Sequence, residues 1–227
     1  MKISDIYLLL LLFMLQACGG SGGSSNGTGT DTGNNQQSLS LNSIGSKSVL
    51  AGESLNFTLS ANDPNGTSHT YMADGTSNSV DPLSLTNRVS FNESTGAFVW
   101  NTSTNDVGVY HVVFTVSNNA SPVETDSESV TINVQSVVTY GQGLYDKYCQ
   151  TCHGPGGAGG SATLVQGSSP LDVKSALGMI PPTGARPGMG GIASQFENQT
   201  RDANAIGYYL CDAGGIDYTD TSQCPVN

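Results

Sequence analysis

The stretch from Val109 to Ser117, VYHVVFTVS, decides the architecture of the first half of this 227-residue chain. Its side chains fall into two alternating sets, one being Tyr110, Val112, Phe114 and Val116 and the other Val109, His111, Val113 and Thr115. Alternation of this kind is typical of a β-strand with one face in a hydrophobic core. We therefore predict a strand here, and we expect His111 to lie on its outer face.

Further short apolar runs lie on both sides of this strand, at residues 55–60, 97–100 and 129–134. Turn signals separate them, for example Asp-Pro-Asn-Gly at 63–66 and Ser-Thr-Gly at 94–96. Short strands with regularly spaced turns predict an all-β sandwich, here over residues 38–136. Since no cysteine lies in this range, packing alone must hold the sandwich together.

Three segments of this region carry a family resemblance: AGESLNFTLSANDPNG (51–66), STGAFVWNTSTNDVGVYHVVFTVSN (94–118) and ESVTINV (128–134). Together they resemble the cadherin-like and Ig-like modules of bacterial surface proteins. The resemblance implies that Trp100 and Tyr110 belong to the core and do not stack on a ligand.

Asp63 and Asn65 admit two interpretations. Oxygen ligands clustered in a turn are what calcium requires, and Asp106 and Asp126 are the other candidates for such a site. The same residues are also typical of an Asx turn, in which a side chain accepts hydrogen bonds from the following backbone. We favour the turn.

The N-terminus has the features of an export signal. Residues 1–17, MKISDIYLLLLLFMLQA, join an early lysine to an apolar run that is too short to predict a membrane span. The last three of these residues together with Cys18, Leu-Gln-Ala-Cys, resemble the lipobox of bacterial lipoproteins, which implies acylation of Cys18 and anchoring to a membrane. Gly19 stands where an inner-membrane retention signal has Asp, so we expect the outer membrane, facing either the periplasm or the cell surface. Residues 18–37 are rich in Gly and Ser and predict a flexible tether.

The charge balance argues against one class of partner. The chain has 18 acidic and 7 basic residues, for a net charge of −11. Binding to nucleic acid needs a basic surface, so we expect no nucleic-acid partner.

The segment from Tyr148 to Gly154, YCQTCHG, carries the clearest chemical signal. Its Cys-X-X-Cys-His spacing, with Cys149, Cys152 and His153, predicts covalent attachment of one haem c. The two thiols would add to the vinyl groups of the porphyrin, and His153 would ligate the iron. A thioredoxin-like motif would need a βαβ context, and a zinc site would need two more ligands, for which only Cys211 and Cys224 remain.

Two segments extend this signal to the whole of residues 138–227: GQGLYDKYCQTCHGPGGAGG (141–160) and AIGYYL (205–210). They resemble the first and last helices of a class I cytochrome c, which implies an all-α cytochrome c fold. In that family the two helices cross where a glycine meets an aromatic ring. The family resemblance also implies that the carbonyl of Pro170 orients His153.

The second axial ligand of the iron is predicted to be a methionine, because no further histidine follows His153. Cytochromes of this kind place it in a Gly/Pro loop about twenty residues before the aromatic of the last helix. Met189 in RPGMGG lies at that distance from Tyr209, and Met179 in GMIPPTG is the alternative.

The two remaining cysteines, Cys211 and Cys224, follow the last predicted helix. Disulfides persist in exported proteins, so we expect these two to pair. All five cysteines of the chain are then assigned.

Histidine and methionine ligation would close both axial positions of the iron, which favours electron transfer over substrate binding. The sequence thus predicts a lipid-anchored electron carrier of the cell envelope that is not an enzyme. Its partners would be redox proteins, with the sandwich as a spacer or docking module. In the alternative, the protein is a surface adhesion or carbohydrate-binding protein whose sandwich binds a glycan or protein and targets the redox domain. A peroxidase with an open haem is a third and weaker hypothesis.

Overall fold

The computed structural model describes residues 38–75, 87–180 and 184–226. The predicted signal peptide, the lipidation site Cys18 and the tether lie outside these residues. Within the described part of the chain, no helix is both long enough and apolar enough to cross a membrane.

Nine strands form in the described residues before position 136. They are β1 (Ser40–Leu41), β2 (Lys47–Leu50), β3 (Ser54–Thr58), β4 (Ala61–Asn62), β5 (His69–Gly75), β6 (Val89–Asn92), β7 (Ala97–Asn101), β8 (Gly108–Asn118) and β9 (Thr125–Gln135). The predicted strand at 109–117 is therefore β8, extended by one residue at each end.

The strands build two main sheets. One has the order β2-β9-β8-β5 and the other β3-β7-β6, while β1 and β4 form a separate pair. β2 runs parallel to β9, and the other pairings are antiparallel. The register of β8 and β9 places Val112 opposite Val130, so apolar residues of both strands share one face.

The alternation along β8 works as the sequence predicts. Val112, Phe114 and Val116 are fully buried, while their neighbours between them are half-buried. The ring of Phe98 from the other sheet meets the ring of Phe114 edge to face, with 5.6 Å between centroids. The core therefore lies between the two sheets, and the predicted Ig-like β-sandwich is confirmed.

Trp100 and Tyr110 both belong to this core. Trp100 is fully buried, and its ring contacts the half-buried ring of Tyr110 at 4.8 Å between centroids. The Tyr110 hydroxyl donates a hydrogen bond of 2.8 Å to the backbone carbonyl of Asp106. A phenol that is half-buried needs such a partner, so this contact fixes the ring in place.

An ion pair closes one end of the sandwich. The Asp106 carboxylate is buried and pairs with the Arg88 guanidinium, with 3.0 Å between Oδ1 and Nη2. It also accepts a hydrogen bond of 2.7 Å from the backbone N–H of Ser103. Burial would raise the pKa of Asp106, but the hydrogen bonds from Arg88 and Ser103 outweigh burial and lower the pKa.

Asp63 has the hydrogen bonds of an Asx turn. Its carboxylate accepts bonds from the backbone N–H groups of Asn65 (3.0 Å) and Thr67 (3.1 Å). The other two calcium candidates are engaged elsewhere, Asp106 in the ion pair and Asp126 with the backbone of β1. Among the described residues, no three His, Cys, Asp or Glu side chains group together as a metal site.

Helices follow the sandwich, and a single residue separates its last strand from the first helix. β9 ends at Gln135, and the Ser136 hydroxyl caps the next helix by accepting a bond of 3.3 Å from the N–H of Thr139. The helices are α1 (Val137–Tyr148), α2 (Gln150–His153), α3 (Pro170–Ala176) and α4 (Gln199–Ala213), joined by loops and short 3-10 turns.

The helices α1 and α4 cross at a glycine. A Cβ atom placed on Gly141 would lie 1.9 Å from the Ala205 carbonyl oxygen, so only glycine permits this approach. At this crossing, the atoms nearest to the glycine's Cβ position belong to the backbone of α4. The aromatic contact lies one turn further on, where the Tyr145 and Tyr209 ring centroids are 5.4 Å apart.

Candidate functional site

The Cys-X-X-Cys-His motif spans the junction of α1 and α2. Cys149 ends α1, and its carbonyl accepts hydrogen bonds from the N–H groups of Cys152 (3.2 Å) and His153 (3.0 Å). Both cysteines are free, with Cys149 half-buried and Cys152 exposed. Burial raises the pKa of the Cys149 thiol to about 11, so it is held as a neutral thiol at pH 7.

The His153 ring is oriented by a backbone carbonyl. Its Nδ1 lies 2.8 Å from the Thr163 oxygen, and because a carbonyl only accepts, Nδ1 carries the hydrogen. In the neutral imidazole this tautomer leaves the lone pair on Nε2, which is the arrangement found in metal-binding histidines.

Pro170 does not have the role that the family resemblance implied for it. It begins α3, where it packs against α4: a Cβ atom on Gly207 would lie 2.3 Å from the Pro170 Cα. The carbonyl of Thr163, and not that of Pro170, accepts the hydrogen bond that orients His153. Every residue carries a carbonyl, so no side-chain pattern in the sequence points to this partner.

Cys149 and His153 line one cavity of about 130 Å³. Apolar side chains from three elements form much of its wall, namely Val165, Val173, Ala176, Ile206 and Leu210. Tyr145 closes it beside Cys149; this residue is fully buried, and burial raises its pKa to about 12. The cavity therefore joins an imidazole and a thiol to a largely apolar wall.

Only one of the two candidate methionines lines this cavity. Met189 is among its lining residues together with His153. Met179 packs against the same apolar cluster, but within the described residues it does not reach the cavity wall. The choice of axial ligand stays a prediction, and the position of Met189 favours it.

The glycine-rich loop after the motif is tightly folded. Gly154 has φ of 74°, and a Cβ atom on it would lie 2.3 Å from the Gly159 oxygen. The Tyr145 hydroxyl donates a hydrogen bond of 2.7 Å to the Gly154 carbonyl and ties this loop to α1. This role of Tyr145 was not predicted from the sequence; the available signal was its position four residues after Gly141, on the same helical face.

Arg186 and Asp172 also line the cavity and were not predicted. Both lie on its polar side, Asp172 in the first turn of α3 and Arg186 three residues before Met189. Isolated charges in a loop and a first turn are common at protein surfaces, so the sequence does not single them out.

The residues fit a haem by their chemistry. The thiol of Cys149, the imidazole of His153 and the thioether of Met189 line one cavity, and the second free thiol, Cys152, lies one position before His153 in the chain. Together they are the donor set that covalent haem needs. The cavity is smaller than the roughly 300–1,000 Å³ of common ligand sites, so its walls must separate to hold a porphyrin.

Cys211 and Cys224 form a disulfide. It ties the last turn of α4 to the C-terminal segment, and both residues are fully buried. The backbone N–H of Leu171 in α3 donates a hydrogen bond of 3.1 Å to the Pro225 carbonyl in the same segment. The end of the chain is therefore fixed against two helices.

Comparison with known families identifies the sandwich. Residues 37–135 match the family described as Putative Ig domain, and the match ends where β9 ends. This part of the chain is an Ig-like module. No curated protein is similar to the chain at a significant level.

Similar solved structures come from several organisms. A nucleoside hydrolase-related hypothetical protein from Saccharophagus degradans is 27% identical over 39% of this chain and 22% of its own, with a TM-score of 0.32. The third cadherin domain of human protocadherin 7 is 18% identical over 50% of this chain and 95% of its own, with a TM-score of 0.34. Drosophila N-cadherin EC1-4 is 12% identical over 44% of this chain and 25% of its own, with a TM-score of 0.35. The chain thus spans about a quarter or less of the first and third of these proteins.

Proposed function

We propose that this protein is a monohaem c-type cytochrome that carries single electrons between redox partner proteins of the bacterial cell envelope. The observation that carries the proposal is the cavity that joins Cys149 and His153 with Met189. The imidazole of His153 supports it further, because the Thr163 carbonyl holds the ring at this cavity.

The chain's own residues would each have a defined role. When bound, haem would supply a reversible one-electron couple, and ligation by His and Met would raise its potential. Cys149 and Cys152 would hold the group covalently, and His153 and Met189 would fill its axial positions. The Thr163 carbonyl would keep the imidazole in one orientation, while the apolar wall would exclude water.

The Ig-like module would serve as a spacer or docking module in this proposal. Its core is packed around the fully buried Phe98, Trp100 and Phe114, and the single residue Ser136 connects β9 to α1. Cys18, acylated, would anchor the protein to a membrane, most simply the outer membrane.

The visible spectrum of the matured ferrous protein, before and after addition of carbon monoxide, tests the proposal. We expect a c-type spectrum that carbon monoxide leaves unchanged, because His153 and Met189 would both ligate the iron. A spectrum that shifts would mean an open iron and would favour sensing or a peroxidase. A protein without covalent pigment after export with the haem-attachment machinery would contradict the proposal altogether.

A pair of variants tests the axial ligand. Met189→Ala should lower the reduction potential sharply and allow carbon monoxide to bind, since it removes a soft ligand that favours the reduced iron. Met179→Ala is the matched control and should leave both properties unchanged. The reverse result would transfer the assignment to Met179 without affecting the proposed electron transfer.

A further inference from the structure

A second groove lies away from the cysteines and His153. The described residues from 38 onward belong to one compact unit, and this groove of about 500 Å³ lies within it. One wall is the turn at 50–53 together with Thr104, and the other is formed by α4 and the C-terminal loop. Its volume lies in the usual range of small-molecule sites, roughly 300–1,000 Å³.

The first wall is held rigidly. The Thr102 hydroxyl, in a buried residue, donates to the Glu53 carbonyl at 2.7 Å and accepts from the Gly52 N–H at 3.0 Å. The Glu53 side chain remains exposed at the groove. This wall therefore presents a hydrogen-bond acceptor from a fixed backbone, which lowers the entropic cost of binding.

The second wall offers an amide that the fold itself does not use. Asn204 on α4 lines the groove, and its Oδ1 is buried without a hydrogen-bond partner among the described residues. Leaving a buried amide oxygen unpaired is unfavourable, so an amide kept in this state is a candidate for ligand contact. Asn204 as a whole is half-buried and lies in the groove wall.

Arg201 lines the groove one turn before Asn204, but its charge is compensated. Its Nε donates to Asp202 at 2.9 Å and its Nη2 to Glu197 at 3.2 Å. With Glu53 on the facing wall and a net charge of −11 on the chain, the groove is unfavourable for an anion. Nη2 of Arg201 also donates to the Tyr140 hydroxyl at 2.9 Å, so the guanidinium is held in position along the groove.

Two tyrosines supply an apolar surface beside these polar groups. Tyr208 and Tyr218 both line the groove, and their ring centroids are 5.9 Å apart at an angle of 64°. Burial raises the pKa of Tyr208, which keeps its hydroxyl protonated and able to donate. Aromatic rings of this kind combine an apolar face with a polar edge.

We propose that this groove binds a neutral saccharide, of the size of a mono- or disaccharide. Such a ligand has apolar C–H faces that match the tyrosine rings, and hydroxyl groups that both donate and accept. The groove is lined by the polar side chains of Glu53, Arg201 and Asn204 and by the rings of Tyr208 and Tyr218. The proposal does not depend on haem, because none of these residues lines the cavity of Cys149 and His153.

Isothermal titration of the full-length mature protein tests this inference, with cellobiose, maltose and diacetylchitobiose as separate probes. We expect saturable binding of at least one of them. Tyr218→Ala, at a half-buried position in the C-terminal loop, should weaken it tenfold or more. Asn204→Ala should weaken it similarly by removing the amide. Asn119→Ala, an exposed asparagine of the sandwich, is the matched control and should bind as the unchanged protein does.

Three results would overturn the proposal. The first is the absence of binding for all three probes in protein with an intact circular dichroism spectrum. The second is binding that neither Tyr218→Ala nor Asn204→Ala weakens, since the site would then lie elsewhere. The third is binding of inorganic phosphate in preference to the sugars, which would mean that Arg201 makes an anion site. The carbon monoxide experiment is unaffected by all three, so this inference and the proposed electron transfer fail separately.

Discussion

The crossing of α1 and α4 predicts a severe effect of adding one methyl group at Gly141. The new Cβ atom would lie 1.9 Å from the Ala205 oxygen, whereas Cβ atoms essentially never approach a heavy atom within 3.0 Å. The helices would have to separate by about 1 Å, because the obstacle is backbone and cannot rotate away. That separation would loosen the contacts of Tyr145 and Ile206, both fully or almost fully buried beside the crossing.

The cost follows from these contacts. Overpacking a well-filled core costs about 1–3 kcal/mol, and a backbone obstacle places Gly141→Ala at the upper end of that range. Alanine is the better helix former by about 1 kcal/mol, which offsets part of the loss. We therefore expect the free energy of unfolding of the helical region to fall by about 2 kcal/mol.

Urea unfolding measures this effect with two separate probes. Circular dichroism at 222 nm reports the helices, while the fluorescence of Trp100, the single tryptophan of the chain, reports the sandwich core. Gly143→Ala is the matched control, because it lies in the same helix and a Cβ atom there has nothing within 4 Å. It should raise stability by about 0.4–1 kcal/mol. If Gly141→Ala proves as stable as Gly143→Ala, the close crossing described above is wrong.

Three further predictions concern other parts of the fold. Tyr145→Phe removes the hydrogen bond to Gly154 and should lower the free energy of unfolding by about 1 kcal/mol in the same urea assay. Replacing Cys211 and Cys224 together by Ala opens a loop with a sequence separation of 13, which should cost about 3 kcal/mol. It should also make the melting temperature insensitive to reductant. The lowered pKa of Asp106 adds stability that is fully present above its ordinary value of 3.8 and is lost as the pH falls through the folded-state pKa. In the Asp106→Asn variant, the melting temperature should fall less steeply as the pH is lowered through that acidic range. If it falls as steeply as in the unchanged protein, other titratable groups cause the loss of stability.

The sandwich was largely predictable because its signal is local. In β8, alternate side chains must face opposite sides of a sheet, so the burial of Val112, Phe114 and Val116 follows directly from the order of residues. The helical face of Gly141 and Tyr145 follows in the same way from a spacing of four. The sequence did not predict what this helical face contacts, because the glycine meets the backbone of α4 and every residue has the same backbone atoms.

The sequence by itself determined the strand alternation, the Ig-like module and the chemical identity of the Cys149, Cys152 and His153 motif. These properties depend on residues that are neighbours along the chain. Only the tertiary structure decided that Thr163, and not Pro170, orients His153, and that Met189 rather than Met179 lines the cavity. It alone brought the turn at 50–53 beside Tyr218. Such contacts depend on how loops pack against helices that are distant in sequence. The free energy of this packing includes contributions from the whole fold, so it cannot be read from one short segment.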